Sequence, residues 1–147
     1  MKLRDDIERY LTGKLYPFWF DRVAAPGGGF TTYFDRDGRP TGQTDRTLIQ
    51  QARSIFMLSH AIRNGYGAGR APGLLADGLA WFLSKFHDAD HEGWHWIVDR
   101  DGEPVGTDKI IYGQSFVIYA MSECALATGD PRARAAAERT FELVQTY

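Results

Sequence analysis

Arg53 is the side chain in this sequence best suited to chemistry. Its helical neighbours at three and four residues are Ile49, Gln50, Phe56 and Met57, which puts it on or beside an apolar face. A guanidinium enters such surroundings with a partner. Two partners fit: an acidic side chain on a neighbouring helix, or the hydroxyl and carbonyl oxygens of a bound ligand, met by a planar fork of donors. Tyr112 and Gln114 are polar-tipped residues inside the apolar run from Ile110 to Met121. The plain reading gives Tyr112 a satisfied hydroxyl and Gln114 a place in solvent near a helix start. Their interest is positional, because the first turns of packed inner helices line the mouth of a cavity.

Other constellations point away from metals and nucleophiles. His60, His87, His91 and His95 include no helical His-x-x-x-His pair, since Gly93 and a strand pattern lie between His91 and His95, and no cysteine joins them, so no metal site is expected. Asp35-Arg36-Asp37-Gly38 and Asp99-Arg100-Asp101-Gly102 lack the carboxylate spacing and distal Glu of a calcium loop and read as turns. Gly27-Gly28-Gly29 is too short for a phosphate loop, and there is no Gly-x-Ser-x-Gly elbow. A net charge of −2 without a basic patch argues against nucleic acid as a partner. The 14% of aromatic residues either fill a core or stack on the C–H faces of sugars. The single Cys124 cannot form an internal disulfide and reads as a small core residue. No apolar run reaches the roughly 18 residues that span a bilayer, and Met1 to Asp6 do not begin a signal peptide. A soluble, cytoplasmic protein with no membrane partner is the expectation.

The elements that must position these residues come as a repeat. Gly29-Phe30-Thr31-Thr32-Tyr33-Phe34-Asp35-Arg36-Asp37-Gly38-Arg39-Pro40 returns about 64 residues later as Gly93-Trp94-His95-Trp96-Ile97-Val98-Asp99-Arg100-Asp101-Gly102-Glu103-Pro104. After one extra residue, Gln43, Thr44-Asp45-Arg46 matches Thr107-Asp108-Lys109, Gln51 matches Gln114, Ile55 matches Ile118 and Ser59 matches Ser122. A long fixed period means one supersecondary unit whose copies bury their apolar faces on each other.

Each unit reads as helix, short β-hairpin, helix. The pattern predicts a helix over 2–24 that breaks near Pro17, a strand from Phe30 to Phe34, and hairpin turns at Asp37-Gly38 and Asp101-Gly102. Thr44 or Asp45 is expected to cap a helix running to about Asn64, and Thr107 or Asp108 one ending near Gly129. Helices over 72–87 and from Pro131 to Tyr147 complete the set. The post-hairpin helices are apolar nearly all round, which predicts burial on every side, whereas 72–87 has a polar face. Buried inner helices alternating with amphipathic outer ones describe an all-α, (α/α)6-toroid fold with short inserted β-hairpins. Six hairpins at this period need roughly 380 residues. Residues 1–147 would supply about two and a half of them, as the amino-terminal part of a single catalytic domain.

Gly28-Gly29-Phe30 to Asp35-Arg36-Asp37-Gly38, then Gln51-Ala52-Arg53-Ser54-Ile55-Phe56, then Lys109-Ile110-Ile111-Tyr112-Gly113-Gln114-Ser115-Phe116 followed by Ala127-Thr128-Gly129-Asp130, resemble the N-acylglucosamine 2-epimerase superfamily. That superfamily includes cellobiose 2-epimerases and mannose isomerases, and the resemblance covers essentially the whole chain. It implies an (α/α)6 barrel, no redox cofactor and a small-molecule sugar substrate. It also implies a histidine that removes the proton beside the opened sugar's carbonyl, and a second that returns it at C2 or C1 through an enediol. Histidine suits both steps because it titrates near neutrality. By the same resemblance Arg53 is expected to be catalytic, and Tyr112, Gln114 and its repeat counterpart Gln51 to bind substrate. None of the four histidines matches the acid/base pair, which lies in later repeats, so residues 1–147 alone are expected to be inactive.

Two other readings remain open. A glycoside hydrolase or lyase on the same toroid would need a carboxylate pair, for which Asp45 and Asp108 are the repeat-related candidates. A non-catalytic helical-repeat binding module would expose apolar surface at its open end and self-associate into a homo-oligomer.

Overall fold

The structure, a computed structural model, describes residues 2–67 and 69–146. The chain opens with α1 (Lys2–Tyr10), a wide π turn (Leu11–Leu15) and α2 (Tyr16–Arg22), which follow one another without a loop. Pro17 explains the turn. It sits at the start of α2 and has no N–H for the carbonyl four residues back, so the ladder widens and Tyr16 donates to the Leu11 carbonyl. The break predicted near Pro17 is therefore a shift of register just before it.

Four longer helices follow: α3 (Leu48–Arg63), α4 (Ala71–Lys85), α5 (Ile111–Thr128) and α6 (Pro131–Gln145). They pack α4 on α3, α3 on α5 and α5 on α6, so α3 and α5 form the inner layer. Gly129 ends α5 in the left-handed conformation (φ 72°), its N–H returning to the Ala125 carbonyl. Asp130 then caps α6 by accepting from Arg132 N at 2.8 Å. Tyr147, where the sequence ends the last helix, lies outside the described residues. No helix among the described residues is long and apolar enough to cross a membrane.

The hairpins are present but shorter than predicted. Each is closed by one antiparallel bridge, Phe34 with Pro40 and Val98 with Pro104, and the strand expected from Phe30 to Phe34 does not form. The two-stranded sheet instead links the repeats: β1 (Arg46–Thr47) pairs antiparallel with β2 (Ile97–Val98), Arg46 opposite Val98 and Thr47 opposite Ile97. This pairing moves the start of α3. Residues 46–47 are extended, so the cap of α3 is Thr47, whose hydroxyl accepts from Gln50 N, rather than Thr44 or Asp45. The matching cap position of α5 is Ile110, with no side-chain cap, rather than Thr107 or Asp108. The hairpin turns are as read: Asp35 accepts from Asp37 N and Arg39 N, and Asp99 from Asp101 N and Glu103 N, all at 2.8–2.9 Å.

The core runs between the helix layers and under the hairpins. Phe30, Phe82, Phe86, Leu48, Ile55, Leu58 and Met121 are fully buried, each contributing about 1.5–3 kcal/mol of transfer free energy. Phe30 lies against α4 at Gly78, where an added Cβ would overlap its ring. In the second copy Trp94 takes the place of Phe30, stacking on Phe82 at 4.9 Å and donating its indole N–H to Thr140 at 2.8 Å. The expectation that α5 is buried on all sides is corrected. Ile111, Tyr112, Tyr119 and Leu126 are exposed, the last at 69%. Among the described residues, α3, α6 and the second hairpin cover the other faces of α5.

Candidate functional site

The open face of α3 and α5 is built from equivalent positions of the repeat. Arg53, Phe56 and His60 recur on one face of α3 at helical spacing; one period on, α5 carries Phe116, Tyr119 and Glu123. The helices pack in register, so each residue meets its own counterpart. The Arg53 guanidinium carbon lies 5.2 Å from the centre of the Phe116 ring. Phe56 and Tyr119 stack face to face, centroids 3.9 Å apart and planes 12° apart. His60 Nδ1 is 3.1 Å from Glu123 Oε1.

Arg53 is exposed, and among the described residues it has no acidic partner, so the ion pair considered from the sequence does not form. Tyr112 is 58% exposed and its ring meets Phe116 edge-on at 5.0 Å. Arg53, Phe56, Ser115, Phe116 and Tyr119 line an open pocket of about 420 Å³. Burial, and then the nearby Glu123 carboxylate, push the Tyr119 hydroxyl's pKa up. The pocket thus offers a permanent cation and several ring faces, a combination that suits a ligand with both oxygens and C–H surface.

Gln51 and Gln114 do something else. Gln51 is completely buried; its amide oxygen accepts from Phe30 N at 2.7 Å and its NH2 donates to Phe30 O at 2.8 Å. Gln114, 2% exposed, makes the same pair of bonds to Trp94, both at 3.0 Å. Neither presents an atom to the open face. Their amides are turned the opposite way, replacing strand partners for the residue that enters each hairpin. The substrate contact expected for them is not made from these positions, where both amides bond the hairpin backbone.

Deeper along the same face, Glu123 is 7% exposed and accepts from Arg63 Nε at 2.8 Å while meeting His60. His60 stacks on Phe56 at 5.6 Å, and its Nε2 lies 3.3 Å from the Asn64 amide. The other histidines gather at the second hairpin, where His87 packs edge-on to Trp94 and burial pulls the pKa of His87 and His95 down. Asp45 and Asp108 lie in the loops ahead of α3 and α5, and neither forms a salt bridge among the described residues. Sequence reasoning missed Phe56, Phe116, Tyr119 and the His60–Glu123–Arg63 cluster. The Gln51–Gln114 register marks Arg53 and Phe116, Phe56 and Tyr119, and His60 and Glu123 as repeat counterparts, but not that the helices pack with those counterparts in contact.

Comparison with known proteins agrees with this architecture. The sequence profile of the N-acylglucosamine 2-epimerase (GlcNAc 2-epimerase) family matches residues 28–147. The chain is 32% identical over 152 residues to a cellobiose 2-epimerase of Bacteroides fragilis, covering 99% of this chain and 37% of that one. It is 33% identical to a cellobiose 2-epimerase of Dictyoglomus turgidum, over 86% of this chain and 32% of the relative. The solved structure of cellobiose 2-epimerase from Spirochaeta thermophila superposes with a TM-score of 0.90 at 26% identity, over 99% of this chain and 36% of that one. The chain therefore spans about a third of the length of these relatives. It belongs to the N-acylglucosamine 2-epimerase family, and its helices are part of an (α/α)6 barrel.

Proposed function

We propose that this member of the N-acylglucosamine 2-epimerase family forms one wall of the active site of a sugar epimerase or isomerase. The reaction is inversion at C2 of an aldose, an N-acylhexosamine or a β-linked disaccharide, or the related C1/C2 aldose–ketose exchange. In either, a base removes the proton next to the carbonyl of the ring-opened sugar. The resulting enediolate is reprotonated on the other face at C2, or at C1. Arg53 carries the reading: its guanidinium lies at an open pocket with no carboxylate among the described residues to neutralise it. There it is placed to hydrogen-bond the oxygen on which negative charge grows, an interaction stronger in the transition state than in the ground state. Tyr112, exposed beside Phe116, contacts the sugar from the same side. The two proton-transferring histidines belong to other repeats of the barrel, so residues 1–147 by themselves bind weakly and turn nothing over.

The test is incubation of the full-length protein with mannose, N-acetylmannosamine and cellobiose in D2O, followed by NMR. Epimer or ketose carrying deuterium at the carbon beside the carbonyl is expected. Absence of any new sugar from all three would refute the reading. Products of glycosidic cleavage would replace it with a hydrolase.

A further inference from the structure

Arg53 is held on the open face by a ring rather than by an ion pair. Among the described residues it has no salt bridge and no side-chain hydrogen bond, and its directional contact is the Phe116 ring, 5.2 Å from the guanidinium carbon. That ring is itself braced. Tyr112 meets it edge-on at 5.0 Å and 73°, Tyr119 at 6.2 Å and 72°, and Tyr119 is stacked on Phe56. Phe116 is half-buried, and the Arg53 guanidinium carbon on α3 lies over its ring. A free arginine samples many rotamers. A guanidinium lying over an aromatic face keeps its charge, and its N–H edge stays available for oxygen acceptors.

We infer that Phe116 is the positioning residue for Arg53: it holds one face of the guanidinium so that its donors point into the pocket before substrate arrives. The inference rests on the proposed sugar chemistry of Arg53 and names the residue through which that chemistry is prepared. Position 116 is where the second repeat carries the counterpart of Arg53 itself. The duplicated position has thus diverged into a cation and its platform, which packing brings side by side.

The experiment uses the full-length protein with Phe116→Leu, Phe116→Met and Phe116→Tyr, and two readouts. The first is the NMR shift of the Arg53 side chain, assigned with Arg53→Lys, which an aromatic face moves upfield. The second is initial-rate 2-epimerization. Leu and Met are expected to return the Arg53 signals to solvent-exposed values and to lower kcat about tenfold with KM little changed. Tyr, which restores a ring, is expected to keep both properties. Met serves as a second apolar replacement wherever Leu lowers the melting temperature. Unmoved Arg53 signals in the Leu and Met variants would overturn the inference, as would moved signals with an unchanged kcat. An unsubstituted protein with no activity on any sugar would instead overturn the epimerase reading, while the Arg53 shift still reports whether the ring holds the guanidinium.

Discussion

Arg53 and Phe116 occupy the same position in two copies of one repeat, and in the folded chain the guanidinium carbon of the first lies 5.2 Å from the ring centre of the second. The same register sets Phe56 on Tyr119 and His60 against Glu123. A duplicated helix therefore lays each residue beside its own counterpart, and the open wall of the barrel is a ladder of such pairs. Cation on ring, aromatic stack, and histidine against a buried carboxylate follow one another along it.

Arg53→Ala in the full-length protein is expected to cut kcat by about 10²–10³-fold, the loss seen when a preorganised donor to a developing oxyanion is removed. Arg53→Lys should recover little, because an ammonium lacks the planar fork. Stability should change by less than about 0.5 kcal/mol, since the side chain is exposed. Initial rates and thermal melts on the same samples check both halves. A variant as active as the parent would remove Arg53 from the reaction.

Gln51→Leu and Gln114→Leu should each destabilise the fold by about 2–4 kcal/mol. Each leaves a buried N–H and a buried C=O, of Phe30 or Trp94, without a partner. Gln→Glu at either site should do no better, because a carboxylate cannot donate to the carbonyl. Urea unfolding measures the effect; a change near zero would mean that the backbone finds other partners.

Gly78→Ala should cost about 1–3 kcal/mol although alanine favours a helix, because the new methyl would overlap the Phe30 ring. Gly73→Ala on the same helix is the control. Nothing lies within 4 Å of its added methyl, and stability should stay level or rise by about 0.5–1 kcal/mol. Equal effects at the two sites would rule out the steric account.

Lys109 Nζ donates to Asp88 Oδ2 at 2.6 Å, and this bond is the first cause of an Asp88 pKa held well below the usual carboxylate range. Backbone N–H groups of His91 and Asp90 add to it. A depressed folded-state pKa contributes stability that is complete above the unfolded value of about 3.9 and is lost as pH falls through that value toward the folded one. Lys109→Gln should therefore lower the melting temperature most at neutral pH, with the gap to the parent closing as the buffer is taken below about pH 4. A gap that is constant with pH would assign the effect to packing instead.

Much of this was legible in the chain. Asp35 and Asp99 announce their turns because a short carboxylate reaches its own backbone wherever it stands, a local matter. Helices 48–63 and 111–128 were visible for a similar reason, since their long apolar runs and the Gly129 stop act within a few residues. The start of the first was misplaced because the pairing of Arg46 with Val98, a contact between repeats, keeps the chain extended past Thr44 and Asp45; the second also starts later than the sequence suggests, after an extended Ile110. The resemblance that marks Gln51 and Gln114 does not say which way their amides point; the structure turns both to the hairpin backbone.

The sequence by itself determined the repeat, the alternation of helix and hairpin, and through them the family. These depend on residue order and local spacing. Only the tertiary structure decided what the repeat is for at the open face. The register between α3 and α5 is set by packing between segments distant in the chain, and it alone turned a guanidinium and a phenyl ring into neighbours. The same packing turned two glutamines inward, where the N–H and C=O of Phe30 and Trp94 take their amides as partners.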